Sequence, residues 1–268
     1  VLPLVLSEAP KPSEDALLFK GVDFKPILQN TELTSSENAG VSNAMSFRAS
    51  LAFCPEKDSM PSAELRLVHS VFYKAFEDID GLKLSAAGKE TLGDGDFELS
   101  YGEVEFFPFW DLMNRFAVPR PGEAFLDLGS GTGRAVIAMA LGFPELRLCT
   151  GLEILAPLDE AAKQAAASVA KASCPAAAIE FQAVNFQDVR WEANADILWV
   201  SSLLMEEDTV HEIARRTKAL KKDSRIFTMT STFGDGIEWL EQTLLDGKEF
   251  ATVEMSFGEG RVYAVRRT

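Results

Sequence analysis

The chain has 268 residues with 41 Asp and Glu against 26 Lys and Arg, a formal charge of -15; so negative a surface repels phosphate backbones, and autonomous binding to DNA or RNA is not expected. Hydrophobic residues make up 47% of the sequence, enough for a substantial core in one large domain. Cys54, Cys149 and Cys174 lie too far apart for metal spacing and read as unpaired thiols of an intracellular protein, cytoplasmic or nuclear, while His69 and His211 fall in helix-like patterns that leave a Ser-His-Asp arrangement unsupported.

The apolar opening, Val1 to Leu6, is too short to span a membrane. Residues 7 to about 60 mix Pro, Ser, Glu and Asn with short apolar pieces and are expected to form an irregular arm. After a Ser62 cap, Leu65, Val68, Val71, Phe72, Ala75, Phe76 and Ile79 recur at three- and four-residue spacing, which predicts an amphipathic helix ending near Gly81. The glycines and acids of Gly88 to Asp96 predict a loop, and Phe109, Leu112, Met113 and Phe116 predict another helix. Beyond the Pro119–Gly122 turn, strand and helix alternate. Strands are expected near Ala124–Leu128, Leu146–Glu153, Ile179–Val184, Asp196–Ser201, Arg225–Thr230, Phe250–Phe257 and Arg261–Val265, and helices near Gly133–Leu141, Pro157–Ala172, Glu207–Ala219 and Ile237–Leu245. This alternation implies an α/β fold with a Rossmann-like, seven-stranded, mostly parallel sheet covered by helices on both faces. The last two strands, joined by Gly258-Glu259-Gly260, imply an antiparallel C-terminal hairpin at one edge. The expected division is an N-terminal arm and helical extension over 1–97 and one α/β domain over 98–268.

The chemistry concentrates in Phe125-Leu-Asp-Leu-Gly-Ser-Gly-Thr-Gly-Arg134. Its apolar run suits a buried parallel strand, its three glycines permit a tight turn beneath a ligand, and the next helix directs its N-terminal dipole there. Gly-x-Gly-x-Gly differs from the Gly-x-Gly-x-x-Gly of dinucleotide folds and argues against NAD or FAD. Asp127, near the strand's end, suits a cationic ammonium. The next strand also ends in an acid, Glu153, 22 residues beyond Gly131, where a carboxylate accepts both hydroxyls of a ribose. The third ends at Asn185-Phe186, an amide for the edge of an adenine and a ring for its face, although a phenylalanine there also suits a core position. Ammonium, ribose and adenine in that order describe S-adenosylmethionine. No Asn-Pro-Pro-Tyr or Asp-Pro-Pro-Tyr follows the fourth strand, so a nucleobase amine is not the expected target.

The arrangement resembles the class I, seven-stranded S-adenosylmethionine-dependent methyltransferases from about Tyr101 to the C-terminus. Tyr101-Gly-Glu103, the glycine motif ending at Arg134, Gly151-Leu-Glu153, Asn185-Phe186, Ala195-Asp-Ile-Leu-Trp-Val-Ser-Ser202 and the turn from Lys218 to Ile226 are similar to the disruptor-of-telomeric-silencing class of histone lysine methyltransferases. That resemblance implies Glu103 at the cofactor's amino-acid end, with Asp127, Gly129, Gly131 and Gly133 holding the same end and Tyr101 and Ser130 as further cofactor-binding residues. It places Glu153 on the ribose and Asn185 with Phe186 on the adenine, and it implies no metal. By analogy Ser201, Ser202, Phe257 and Tyr263 line the channel of the methyl acceptor, although Phe257 and Tyr263 equally suit packing within the hairpin. Two positions depart from the class: Ser201-Ser202 stands where it has an asparagine pair, and Asn185 where an aspartate precedes the phenylalanine. The implied activity is methyl transfer to a protein lysine, with a basic protein or peptide as partner. Because no basic DNA-binding segment is present, a non-histone protein or a histone away from DNA suits the chain better than a nucleosome. A small-molecule methyltransferase, with the N-terminal helix and arm as a lid, and a cofactor-binding scaffold without turnover are the alternatives. A wide surface channel favours the protein substrate, and a sealed apolar cavity the small molecule.

Overall fold

The computed structural model describes residues 63–92, 102–172, 174–203, 205–229, 233 and 236–268, so the expected arm, Cys54, the Ser62 cap and Tyr101 lie outside the described residues. In chain order the elements are α1 (Ala63–Ala75), α2 (Gly81–Leu92), α3 (Phe106–Leu112, continued by a π-helical turn over Met113–Ala117), β1 (Ala124–Leu128), α4 (Arg134–Gly142), β2 (Leu148–Glu153), α5 (Ala156–Lys171) and β3 (Ile179–Ala183). They continue with β4 (Ile197–Val200), α6 (Glu207–Arg216), β5 (Arg225–Thr228), β6 (Leu240–Thr243), β7 (Phe250–Met255) and β8 (Gly258–Arg267).

β1 is the hub of the sheet, parallel to β2 on one side and to β4 on the other. β3 follows β2, β5 follows β4, and β8 closes on β5 antiparallel. On the outer edge of β8, β6 pairs with Ala264–Arg267 and β7 with Gly258–Tyr263. These two strands therefore lie end to end, and the eight strands fill seven positions. Every residue of β1 and β4 is buried, as expected where helices cover both faces. Successive side chains of β1 take opposite faces: Phe125 joins the apolar cluster of α1, α3, α4 and α5, whereas Leu126 and Leu128 join the one beneath α6. Val68, Phe72 and Phe76 are fully buried in that first cluster, so α1 shares one core with the sheet. His69 is part of this packing, stacked on Phe107 at 4.3 Å, and burial lowers its pKa to about 4.

Three local expectations are corrected. The segment from Gly88 is helical as far as Leu92, within α2, because Gly88 is a contact glycine: a Cβ there would stand 3.1 Å from Leu155 Cβ. Ile237–Leu245 is not a helix, since its middle supplies β6. Its short apolar periodicity loses to the unpaired outer edge of β8, which takes Leu240 opposite Arg267 and Thr243 opposite Ala264. The hairpin reverses at Ser256-Phe257, between the paired Met255 and Gly258, and Gly258-Glu259-Gly260 belongs to β8.

Candidate functional site

The chain steps from β1 to β2 to β3 and then returns to the other side of β1 as β4. At this switch point the loops after neighbouring strands diverge and leave a crevice outside the carboxyl ends. A cavity of about 1350 Å³ lies there, lined by the ends of β1, β2 and β4, the loop after β3, and residues of α2 and the β7–β8 turn. Glu103, Asp127, Gly129, Ser130, Gly131, Glu153, Asn185, Phe186, Ser201 and Phe257 all contribute to its walls.

The turn after β1 is shaped by left-handed backbone at Gly129, Gly131 and Gly133, with φ of 80°, 55° and 85°. Gly133 caps α4 and is doubly constrained, since a Cβ on it would stand 2.4 Å from Phe181 Cζ. It is therefore a structural member of the turn rather than a wall of the cavity. Asp127 is 3% exposed, and burial, reinforced by the charge of Glu153, pushes its carboxyl well above the usual carboxylate range. Glu153 is buried too, and burial raises its pKa although amides oppose the shift. The Gly131 N–H donates to Glu153 Oε2 at 2.7 Å and the Leu155 N–H to Oε1 at 2.8 Å, so the second strand's acid braces the first strand's turn.

After β3, Asn185 Oδ1 accepts the Gln187 N–H at 2.9 Å and sets the bend that carries Phe186. The loop is held from outside by Arg216 at the end of α6, which donates to the Phe186 carbonyl at 2.7 Å, the Gln187 carbonyl at 3.3 Å and the Val189 carbonyl. Its guanidinium also pairs with Glu192 at 2.7 Å and lies 4.7 Å from the Trp191 ring centre. Sequence reading missed Arg216, because its partners lie about 30 residues away and no local pattern marks them.

Glu103 reaches the cavity beside this turn, where Thr132 Oγ1 donates to its Oε1 at 2.8 Å and Arg134 Nε stands 3.0 Å from its Oε2. Ser201, just past β4, is half-buried in the wall, with its hydroxyl 3.7 Å from Met229 Sδ. Ser202 is wholly buried and its hydroxyl shares a 2.6 Å hydrogen bond with Thr228 Oγ1, joining the ends of β4 and β5. Neither Ser202 nor Tyr263, whose ring packs 5.7 Å from that of Phe250, is among the described walls. Leu203, Met205, Glu206, Asp208, Trp199 and Met255 are further lining residues that sequence reading did not single out.

Asp127 Oδ1 and Ser130 Oγ are buried without a hydrogen-bond partner among the described residues. A desolvated carboxylate oxygen with no donor is costly, and an ammonium bound there would supply the missing partner. The acids of this wall repel a pyrophosphate and suit an ammonium, a sulfonium and ribose hydroxyls, so the donor set fits S-adenosylmethionine.

No curated protein matches the sequence. Solved structures to which the chain is similar include an RNA methyltransferase from Salinibacter ruber in complex with S-adenosyl-L-homocysteine, at 19% identity over 59% of this chain and 89% of that one, TM-score 0.42. TrmN from Thermus thermophilus is similar at 17% identity over 60% of this chain, which spans about half of that one (48%), TM-score 0.46. Magnesium protoporphyrin IX methyltransferase (ChlM) from Synechocystis PCC 6803 with bound SAM is similar at 12% identity over 86% of this chain and 100% of that one, TM-score 0.42. The family model for histone methylation protein DOT1 matches residues 97–253, more than half of the chain, including the ends of β1, β2 and β4 and the loop after β3 that line the cavity. The chain thus belongs to the DOT1 family of histone methylation proteins, and it is a methyltransferase whose methyl donor is S-adenosylmethionine.

Proposed function

We propose that the chain transfers the methyl group to a lysine amine of a basic protein. The observation that carries this reading is the extent and charge of the cavity. At about 1350 Å³ it has room for an acceptor group beside the cofactor, and its wall includes the exposed side chains of Leu203, Glu206, Asp208 and Phe257. An open mouth with two carboxylates, on a chain of formal charge -15, suits a cationic side chain presented by a macromolecule.

In this reading Asp127 and Ser130 hold the ammonium, Glu103 lies at the same end, and Glu153 accepts the ribose hydroxyls with the lone pairs its two amides leave. Phe186 stacks on the adenine, and Asn185 shapes the loop that presents it. Ser201 lies at the acceptor end, whereas Ser202 and Tyr263 act from behind the wall by fixing the ends of β5 and β7. When bound, the cofactor supplies an electrophilic methyl at its sulfonium. The chain's work is alignment and the exclusion of water. Trp199, Met255, Leu203 and Phe257 make an apolar approach that disfavours the charged ammonium of lysine and promotes loss of its proton to water at the mouth. The neutral amine would then be aligned by these walls for in-line displacement at that methyl, with S-adenosylhomocysteine as the leaving group.

Incubating the pure protein with methyl-labelled cofactor and a cell extract tests this reading. Label in a protein band that releases methyl-lysine on hydrolysis is expected. Label confined to small molecules would replace it with the small-molecule reading, and no transfer by a protein that binds the cofactor would leave a scaffold.

A further inference from the structure

Arg134 is the first residue of α4 and is 9% exposed. A cation at the positive end of a helix is locally disfavoured, and burial adds a desolvation cost. Two sets of partners offset both. On one side Glu103 Oε2 lies 3.0 Å from Arg134 Nε, an ion pair rather than an aligned hydrogen bond, since the Nε–H is without a hydrogen-bond partner among the described residues. On the other the guanidinium faces the rings of Phe76, Phe72 and Tyr73 at 4.8, 5.6 and 5.9 Å, an aromatic seat contributed by α1 and the turn that follows it. The same helix steadies the segment carrying Glu103, because the Tyr73 hydroxyl donates to Glu105. The Glu103 backbone is pinned as well, its N–H donating to Ser256 Oγ at 2.9 Å and its carbonyl accepting the Ser256 N–H at 2.8 Å. Three carboxylates in the inner wall, Glu103, Asp127 and Glu153, share the cavity with Arg134, the one Lys or Arg among its described lining residues.

We propose that Arg134 is a positioning residue for the amino-acid end of the cofactor. Seated on α1, it fixes the Glu103 carboxylate and offsets its charge, so that Asp127 and Glu153 are the acids whose charge the cofactor meets. Helix α1 is thereby a working part of the cofactor site. The inference rests on the proposed placement of the methionine end beside Asp127 and Glu103.

Calorimetry with two ligands tests it: S-adenosylhomocysteine, and 5′-methylthioadenosine, which lacks the amino-acid tail. In Arg134→Gln the Kd for S-adenosylhomocysteine rises roughly tenfold, the loss of about one charge-assisted contact, while that for methylthioadenosine stays within about twofold. Arg134→Lys recovers part of the loss, because an ammonium still pairs with Glu103 but has no plane to lay on the rings. Equal weakening of both ligands would mark a purely structural residue and overturn the proposal, as would unchanged binding of S-adenosylhomocysteine. Phe76→Leu keeps the ion pair and removes one ring, so it gives a smaller, roughly threefold loss that is again confined to the tailed ligand; no loss, or a shared one, overturns the role of α1. A wild-type protein that binds the two ligands equally, or neither, would instead sink the placement of the cofactor itself.

Discussion

Asp127→Asn separates the stability of the apoprotein from the affinity of the site. The carboxyl of Asp127 is almost fully buried, its Oδ1 has no described partner, and both burial and Glu153 favour its protonated form. Such a group binds its proton more tightly in the folded state than in the unfolded chain. Its contribution to stability is therefore fully present below the unfolded pKa of about 3.9 and is lost as pH rises through the higher folded value. Asparagine keeps the shape and removes the titration, so thermal stability of the variant should match the wild type in acid and exceed it at pH 8. Binding should move the opposite way. A cofactor ammonium favours ionised Asp127, and losing that charge-assisted contact costs about 1.5–3 kcal/mol, ten- to a hundredfold in Kd. The same linkage predicts that the wild type releases a proton on binding S-adenosylhomocysteine and binds more tightly as pH rises toward the pKa of the ligand's own amine. Calorimetric titration in buffers of differing ionisation enthalpy reads the proton, and scanning calorimetry from pH 5 to 8 reads the stability. A variant that is destabilised throughout this range while retaining wild-type affinity would refute the role given to Asp127.

Gly133→Ala forces a Cβ onto a left-handed residue, 2.4 Å from Phe181 Cζ, and should lower stability by about 2–4 kcal/mol, seen as a Tm drop of about 5–15 °C. Arg216→Met strips the donor from the carbonyls of Phe186, Gln187 and Val189. It should weaken methylthioadenosine and S-adenosylhomocysteine alike by about fivefold or more, because it acts at the adenine end; unchanged affinities would reduce Arg216 to a surface tie. Glu153→Gln should likewise weaken both ligands, by roughly tenfold, through the ribose, and a loss confined to the tailed ligand would contradict the assignment of that acid.

The parallel half of the sheet was legible because its signals are local. Phe125 to Arg134 contains its own strand, turn and cap, and the acid closing β2 stands where parallel pairing with β1 puts it beside the turn. Gly88 and the 237–245 segment misled for one reason: each obeys a contact distant in sequence. Gly88 admits Leu155, and Leu240–Thr243 answers the bare edge of β8. The site shows the same division. Asp127, Glu153 and Phe186 could be found at strand ends, but not the partners that hold them. Arg134 reads as the end of the glycine motif until Phe72 and Phe76 are seen beneath it. Ser202 reads as the twin of Ser201 until Thr228 takes its hydroxyl. Adjacent residues leaving a strand end face different ways, and only the tertiary structure says which one reaches the cavity.

A crystal structure with S-adenosylhomocysteine is the most direct test of the site. The amino group should lie about 2.7–3.2 Å from Asp127 Oδ1, the ribose hydroxyls on Glu153, and the adenine against Phe186. A ligand bound elsewhere, or one seated in the cavity with Asp127 Oδ1 still unpartnered, would contradict the account.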